Sequence, residues 1–390
     1  MNLKAIQDYL QAEKLDGWLF FDHHQRDELA YRILDLHPQG LVSRRWYYFI
    51  PAKGEPRGLV HKIESGRLEK LPCEKRRYAS WQELAEGIHW ILGGAKRVAM
   101  QYSPNCAIPY VSLVDAGTIE TIRAEGVEVV SSANLVQEFE SKWTQKGLDL
   151  HQQAQRAVDA ARCDAFGLVA ERLRTGTKIT EYDVKMFMQE RYKKAGLVTD
   201  GGPIVAVNEN CSDQHYDPQA GESREIRKGD FFLMDMWAKV DDPDAMYYDI
   251  TWTGYCGEQA PEKIHKIFNT VKEARDRAVK FIKDGIAAKK DLRGYMVDDV
   301  ARGYIREQGF AEWFVHRTGH SIGHEVHGTG ANMDNLETHD ERKLIPWTCF
   351  SIEPGIYLPE VGVRTEVDVF IGEDGARVTG AIQEGMIYIV

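Results

Sequence analysis

The sequence contains little cysteine: six residues in a chain of 390, with no Cys-x-x-Cys pair. So few scattered cysteines exclude a disulfide framework and a cysteine-built zinc site, and we expect free thiols in a reducing cytoplasm. The sequence also lacks an uninterrupted apolar run of about 18 residues, which excludes a membrane-spanning helix. The first residues show no basic segment followed by an apolar one, so we expect no secretory signal.

Basic residues are fewer than acidic residues in this sequence. The chain has 49 lysine and arginine residues against 60 aspartate and glutamate residues, a net charge of −11, and no run of basic residues. These features exclude nucleic acid and an anionic membrane surface as partners. The excess of acidic residues indicates carboxylates that bind cations. With 43% hydrophobic and 28% charged residues, the composition is that of an ordinary globular protein.

The chain length predicts two domains, and the character of the sequence changes near residue 145. Before that point, short apolar runs alternate with helical stretches, which predicts an α/β domain over residues 1–145. No glycine-rich loop follows the first predicted strand, which excludes a dinucleotide-binding fold. After it, two polar helices open a second domain over residues 146–390. The first helix is expected to end at Gly176 and the second to begin at Thr180.

A predicted hairpin in the second domain carries two aspartates. Residues 229–254 read as two strands joined by a turn, and folding them about residue 242 places Asp235 opposite Asp249. Their side chains would then lie about 5 Å apart on one face. Like charges directly opposite each other destabilise a sheet, so a divalent cation is expected to compensate them. The apolar neighbours in FFLMDMW argue against a solvated edge.

A second predicted hairpin repeats this arrangement with two glutamates. Residues 350–371 again read as two strands, and folding them about the Pro-Glu turn places Glu353 opposite Glu366. Their neighbours are also of the buried type. Two hairpins that each set a carboxylate pair among apolar residues indicate a cation site more strongly than either hairpin alone.

Between the hairpins lies HRTGHSIGHEVHG, residues 316–328, which we predict to be a turn or strand. His324 and His327 are three residues apart, whereas a zincin helix needs four. The segment GHSIG matches the G-x-S-x-G nucleophile elbow, which leaves Ser321 as an alternative catalytic nucleophile, although little chain follows it to supply an acid and a histidine. Besides the zincin helix and the serine nucleophile, a third interpretation is that one histidine binds metal and that others transfer protons.

Charge favours the third interpretation. The four hairpin carboxylates are balanced by two divalent cations, and one neutral histidine completes a set of five residues. Such an oxygen-rich set suits Mn²⁺ or Co²⁺ better than it suits a thiolate-type zinc site. Two such ions can share a bridging hydroxide, which is available near neutral pH and attacks an amide carbonyl.

The order and context of these residues resemble a known family. The segments that carry the resemblance are Asp235, the D-x-T-x-T run that begins at Asp249, the H-x3-H-x6-H run over 316–327, I-E-P-G-I-Y over 352–357 and V-R-x-E over 363–366. Together they resemble the pita-bread metallopeptidases, which include methionine aminopeptidase, prolidase and aminopeptidase P. The resemblance covers about residues 145–390. The N-terminal domain is similar to that of the prolidase, aminopeptidase P and creatinase branch, and the resemblance implies an α+β pita-bread catalytic domain after it.

The resemblance implies a metal role for each of the five residues. Asp235 and Asp249 would bind the first metal, and Asp249 would also reach the second. His320 and Glu353 would hold the second metal, and Glu366 would bridge both. The implied ions are Mn²⁺ or Co²⁺, with Zn²⁺ and Fe²⁺ as alternatives.

The resemblance also implies catalytic roles. His215 matches a histidine near the leaving group, and His327 matches one that steadies the substrate carbonyl and the tetrahedral intermediate. His316 matches a further pocket histidine. Glu353 would accept a proton from the bridging water, and Arg364 would orient the adjoining carboxylates.

The function implied is a cytoplasmic, dinuclear metallopeptidase that cleaves Xaa-Pro bonds at peptide N-termini or in Xaa-Pro dipeptides. Its partner would be a small peptide substrate, and the family implies a homodimer. Creatinase shares the fold without using the metals, but all five ligands are present here.

Two departures from the family pattern bear on substrate class. The two aspartates of the first hairpin are farther apart in sequence than usual, and Trp252 replaces the arginine of the usual D-x-T-R-T. We hypothesise that Trp252 narrows the pocket or stacks on a proline-like ring. The alternatives that stay open are a metal-dependent hydrolase of another small amide or ester, a serine hydrolase using Ser321, and a non-catalytic binding protein.

Overall fold

The computed structural model describes residues 1–36 and 40–390, and it divides the chain into two compact units, Met1–Ser141 and Lys142–Val390. Each unit has its own buried apolar clusters. Among the described residues, no helix combines the length and the apolar character that crossing a membrane requires.

The first unit is built around one mixed sheet with helices packed against it. In chain order its elements are α1 (Leu3–Ala12), β1 (Gly17–Asp22), α2 (Glu28–Ile33), β2 (Trp46–Pro51), β3 (Arg57–His61), β4 (Glu74–Tyr78), α3 (Trp81–Leu92), β5 (Arg97–Met100), α4 (Ala116–Ala124), β6 (Glu128–Ser131) and α5 (Ala133–Val136). The strand order is β4-β3-β2-β1-β5-β6. The central strand β1 is buried along its whole length because apolar clusters cover both faces of the sheet. This alternation of strands and helices confirms the α/β prediction.

The second unit begins with two helices, of which the first ends and the second begins where the sequence predicts. Its elements are α6 (Gln145–Thr175), α7 (Glu181–Lys194), β7 (Leu197–Val198), β8 (Ile204–Val207), β9 (Phe231–Val240), β10 (Tyr248–Tyr255), α8 (Glu262–Ala287), α9 (Gly294–Glu307), β11 (Ser321–Ile322), β12 (Thr348–Ile352), β13 (Gly355–Leu358), β14 (Val361–Arg364), β15 (Val367–Ile371), β16 (Ala376–Thr379) and β17 (Ile387–Tyr388). Gly176 caps α6 with a φ of 70°. Thr180 and Asp183 form a capping box at the start of α7.

The strands β9 and β10 form the centre of a sheet whose order is β17-β10-β9-β7, with β8 also paired to β9. On one face, Met234, Ile250 and Trp252 belong to an apolar cluster with residues of α6 and α7. We call this the rear face. The opposite face, which we call the front face, carries Asp235 and Asp249.

The predicted register of the first hairpin is wrong by two residues. In the structure Asp249 pairs with Trp237, and Asp235 pairs with Thr251. The strands are separated by a loop over 241–247, so the midpoint of the acidic turn is not the axis of the hairpin. Because side chains alternate with a period of two, a shift of two residues keeps both aspartates on the front face as diagonal neighbours.

The predicted register of the second hairpin is confirmed. Gly355 pairs with Arg364 between β13 and β14, and Ile352 pairs with Val367 between β12 and β15. Both ladders therefore share one register. The backbone pairing is interrupted between these two ladders, at the point where Glu353 lies across from the segment that contains Glu366. Each hairpin thus presents its two acids to the same region.

Candidate metal centre

Residues from three separate segments meet at the front face of β9 and β10. Ligand atoms of Asp249, His320 and Glu366 all lie within 4.8 Å of one another, and all three side chains are buried. The Nε2 atom of His320 lies 3.5 Å from Asp249 Oδ2 and 3.3 Å from Glu353 Oε1. The structure thus brings together residues that are up to 131 positions apart in sequence, from Asp235 to Glu366 (366 − 235).

Close backbone packing holds His320 in this position. A Cβ atom on Gly319 would lie 1.9 Å from the carbonyl oxygen of Ser351, so only glycine lets the loop approach β12. The Ser351 amide donates to the His320 carbonyl at 2.9 Å, and the Ser351 hydroxyl accepts from the His320 amide at 3.0 Å. The Glu353 amide donates to the Thr318 carbonyl at 2.7 Å. His320 and Glu353 are therefore fixed relative to each other by main-chain bonds.

A buried arginine and a threonine link the carboxylates. The Arg364 guanidinium donates to Asp235 Oδ2 and, through Nε, to Thr251 Oγ1 at 2.9 Å. The Thr251 hydroxyl donates to Glu366 Oε2 at 2.7 Å and lies 3.3 Å from Asp235 Oδ1. The Glu366 amide donates to the Thr251 carbonyl at 3.1 Å, which ties the second hairpin to β10.

Burial and mutual repulsion make the carboxylates costly to ionise in the protein alone. Burial, followed by the charges of neighbouring carboxylates, raises the pKa of Asp249 and of Glu366 well above their ordinary values. Burial also raises the pKa of Asp235, although Arg364 opposes the shift. Glu353 differs: burial alone would raise its pKa, but His320 and other nearby basic groups outweigh it and lower the pKa.

These residues fit divalent cations. Four carboxylates face one guanidinium, so the site carries an excess of negative charge that a hard cation would neutralise. Asp249 Oδ1 is buried and has no hydrogen-bond partner among the residues that the structure describes, as expected for an oxygen that serves as a ligand. The donor set is oxygen-rich with one imidazole, which is the chemistry that Mn²⁺ and Co²⁺ accept.

The structure brings two of the three predicted catalytic histidines to this cluster. His327 lies against His320, with ring centroids 4.3 Å apart. His316 is linked through Nε2 to the Tyr357 hydroxyl at 2.7 Å, and burial lowers the pKa of His316 to about 4. His215 is exposed in the loop before β9, and the only hydrogen bond that the structure describes for it joins its own amide to Asp213.

The alternative nucleophile Ser321 is poorly placed for attack. Its side chain is only 2% exposed, and its hydroxyl accepts from the Gly330 amide at 3.0 Å. A buried hydroxyl used in a main-chain contact does not reach a substrate carbonyl. The structure therefore argues against the serine hydrolase.

The hypothesis that Trp252 lines the substrate pocket is wrong. Trp252 pairs with Met234 on the rear face, which is the opposite side of β10 from Asp249. The Arg162 guanidinium of α6 stacks over its ring at 3.6 Å from the centroid. Strand alternation decides this position, since even-numbered residues of β10 face away from the carboxylates.

Some residues of the site were missed by sequence reasoning. Asp368 is fully buried, and its Oδ2 accepts from the Asp249 amide at 2.9 Å. Tyr357 accepts from Arg364 at 3.3 Å and contacts His316. The signal for Asp368 was present, because it follows Glu366 by two residues and so shares its strand face. Tyr357 is the last residue of the I-E-P-G-I-Y run over 352–357, and that motif was the signal that could have found it.

The sequence matches the model of metallopeptidase family M24 over residues 149–373. An Xaa-Pro dipeptidase of Pyrococcus furiosus is 30% identical over 237 residues, which are 60% of this chain and 61% of that protein. A probable dipeptidase PepE of Mycobacterium tuberculosis is 29% identical over 84% of this chain and 81% of its own length. The chain thus spans about three fifths of the length of the Pyrococcus protein.

Solved structures show the same fold. The dipeptidase PepE of Mycobacterium ulcerans has a TM-score of 0.73 at 22% identity, covering 99% of this chain and 96% of that one. A dipeptidase of Pyrococcus horikoshii has a TM-score of 0.65 at 25% identity, and each chain is covered completely, to 100%.

Proposed function

The chain belongs to metallopeptidase family M24, and from that premise we propose that it is a dinuclear metal-dependent peptidase of Xaa-Pro bonds. The resemblance seen in the sequence is thereby confirmed at the level of the family. The observation that carries the proposal is the convergence of Asp249, His320 and Glu366, with ligand atoms within 4.8 Å of one another. A relative named Xaa-Pro dipeptidase supports the substrate class.

In this proposal the metal ions are held by the five residues of the front-face cluster. These residues are Asp235, Asp249, His320, Glu353 and Glu366. Two divalent ions bound there would supply a hydroxide nucleophile near neutral pH and Lewis-acid polarisation of the scissile carbonyl. Burial and the neighbouring carboxylates raise the pKa of Asp249 and of Glu366, and bound cations would offset both effects.

Proton handling falls to groups whose protonation states are set by their neighbours. His320, His316 and Arg364 lower the pKa of Glu353, and Arg364 is the one of these groups that stays charged at neutral pH. Glu353 is therefore assigned as the ionised group that accepts a proton. The charge of His320, together with burial, lowers the pKa of His327. A neutral His327 donates a hydrogen bond from its ring N–H to an oxyanion without first losing a proton.

Arg364 acts as a positioning residue. It contacts Asp235 and Thr251 and is buried, so it orients carboxylates without touching substrate. Tyr357 extends the same network to His316. The leaving-group role of His215 rests on the family resemblance and stays a prediction. The homodimer likewise stays a prediction.

The test is hydrolysis by metal-stripped protein with and without added Mn²⁺, Co²⁺, Zn²⁺ or Fe²⁺. Xaa-Pro dipeptides, Xaa-Pro-Xaa tripeptides and Xaa-Ala dipeptides should be compared, beside an Asp249→Asn variant. We expect metal-dependent cleavage before proline, and a loss of at least about a hundredfold in Asp249→Asn. The preferred length distinguishes a dipeptidase from an aminopeptidase.

Two results would contradict the proposal. Cleavage that survives in Asp249→Asn would mean that the cluster is not the catalytic site. Two tightly bound metals without cleavage of any proline peptide would keep the site and move the substrate to another small amide or ester.

A further inference from the structure

A buried ion pair lies on α9. Asp298 and Arg302 are four residues apart on this helix, so they share one face of it. The Arg302 Nε atom lies 2.8 Å from Asp298 Oδ2, and the Asp298 side chain is fully buried. We call these two residues the α9 ion pair. Burial of two charges costs free energy of desolvation, so the pair needs further hydrogen bonds to offset that cost.

The α9 ion pair is hydrogen-bonded to three positions of the main chain farther along the sequence. Arg302 donates to the Phe314 carbonyl at 2.9 Å and to the His316 carbonyl at 2.7 Å. Asp298 Oδ1 accepts from the Thr318 amide at 3.0 Å and from the Thr318 hydroxyl at 2.6 Å. Because the planar guanidinium holds its donors in a fixed geometry, these bonds set the path of the chain along the helix.

Thr318 links the α9 ion pair to two of the proposed metal ligands. Its amide and hydroxyl are bound to Asp298, while its carbonyl accepts from the Glu353 amide at 2.7 Å. His320 is two residues farther along the same buried segment, and its Nε2 lies 3.3 Å from Glu353 Oε1. Two ligand atoms this close together are placed to bind the same ion. A shift of Thr318 would therefore displace both ligands of that ion.

Two other carboxylates of the cluster are oriented by different groups. Arg364 donates to Asp235, and the Thr251 hydroxyl donates to Glu366 at 2.7 Å. Among the described residues, the hydrogen bonds of the α9 ion pair include neither of these two carboxylates. The α9 ion pair therefore acts on one side of the metal centre.

We propose that the α9 ion pair positions His320 and Glu353 through Thr318, and that it thereby sets the affinity of the ion that these two ligands share. The inference rests on the metal centre of the proposed function and deepens it, because it makes the two ions unequal in what supports them. Asp298 and Arg302 are positioning residues, since they act on the ligands through the main chain.

The experiment resolves the binding of the two ions by calorimetry. Metal-stripped wild type is titrated with Mn²⁺, and a His320→Ala variant identifies the binding event that depends on His320. Thr318→Val keeps the shape of the side chain and removes its hydroxyl. We expect it to weaken that event about tenfold and to leave the other event within about twofold. Thr318→Ser restores the hydroxyl and should recover the affinity of wild type.

Thr270→Val is the matched control. Thr270 is a buried threonine of α8, and its hydroxyl donates to the Lys266 carbonyl of the same helix at 2.8 Å. This variant should leave both binding events unchanged. If Thr318→Val does not fold, Arg302→Lys gives the same comparison, because it keeps the charge and loses the planar fork that spans two carbonyls.

The outcomes separate this inference from the proposed function. Equal weakening of both events in Thr318→Val would overturn the inference, because a general structural defect does not distinguish between the two ions. Unchanged affinity would also overturn it, and cleavage of Xaa-Pro peptides by wild type would then leave the proposed function intact. Selective weakening that Thr318→Ser reverses supports the inference even if no peptide is cleaved, in which case only the proposed function fails.

Discussion

At the scale of single residues, hydrogen bonds decide which threonines of β10 matter to the site. Thr251 and Thr253 both lie on the front face and are both fully buried. The Thr251 hydroxyl joins Glu366 to Arg364, whereas the Thr253 hydroxyl has no hydrogen-bond partner in the described part of the chain. The two positions therefore form a natural pair for comparison.

We expect Thr251→Val to weaken metal binding about tenfold to a hundredfold, because Glu366 loses the donor that orients it. Thr253→Val, which removes a hydroxyl without partners, should be close to neutral. Calorimetric titration of both variants with Mn²⁺ measures the difference. Equal metal affinity in the two variants would show that the Thr251 network does not orient the ligands.

The residue scale also shows what the sequence can predict about the site. The four carboxylate ligands were found because acids in apolar strands are rare enough to be informative, whereas His320 was assigned through the family resemblance. Tyr357 and His327 could not be placed by the same reasoning. His327 lies outside the strands, in a segment whose path depends on close main-chain approaches such as that of Gly319 to Ser351. Tyr357 lies on β13 and has no charge that would mark it as part of a cation site.

At the scale of elements, helix caps of the same residue type differ in their electrostatics. Asp27 caps α2 and is buried, and burial, together with the nearby Asp22, raises its pKa to about 7. Asp115 caps α4 and is exposed. Hydrogen bonds from Thr118 outweigh partial desolvation there and lower the pKa of Asp115.

These shifts give opposite pH dependences. Because the folded pKa of Asp27 lies above its unfolded value, its ionised form destabilises the fold, and the penalty grows as pH rises from about 4 to about 7. We expect Asp27→Asn to stabilise the protein at pH 8 by on the order of 2 kcal/mol and to change little at pH 4, since asparagine caps as well as aspartate. Chemical unfolding at the two values of pH measures this.

Asp115→Asn serves as the control for that comparison. Its carboxylate is favoured in the folded state, so the substitution should lower stability slightly at pH 8 and should matter less as the pH falls through the folded pKa. Stabilisation of both variants at pH 8 would mean that net charge, and not burial at Asp27, controls the result.

Elements also show where sequence patterns stop being sufficient. The strand Glu74–Tyr78, EKRRY, was not predicted, because its charges hide any alternation. Its place at the edge of the sheet explains this composition, since charged edge strands resist pairing with other chains. The predicted register of β9 with β10 was wrong for another reason. The prediction folded the hairpin about residue 242, in the acidic turn, whereas the connecting loop extends over residues 241–247.

At the scale of the whole molecule, the proposed metal ligands all belong to the second unit, Lys142–Val390. A ligand that binds only the folded state stabilises the part of the protein that holds it, by about 2.7 kcal/mol at a hundred times its Kd. We expect divalent metal to slow amide hydrogen exchange in β9, β10 and β14 and to leave the sheet of Met1–Ser141 unchanged. Mass spectrometry of the full chain, with Asp249→Asn as the control, makes the comparison. Uniform protection of both units would contradict it.

The broad architecture was predictable because alternation and helix caps are local signals. The change in sequence character near residue 145 predicts two domains, and the family match confirms the fold of the second part. The pairing of strands distant in sequence was not predictable in detail. It depends on packing between segments that no local pattern reports.

The long-range tie between the hairpins has a consequence for the order of folding. The bonds that complete the site join Asp249 to Asp368 and Thr251 to Glu366, across 119 and 115 residues of chain. Contacts that close loops of this length carry a high entropic cost, so they are expected to form after the folding transition state. Bound metal should then slow unfolding in stopped-flow experiments while the refolding rate stays nearly constant. Bound metal would therefore make the folded state kinetically more stable, because it binds after the folding transition state has been passed.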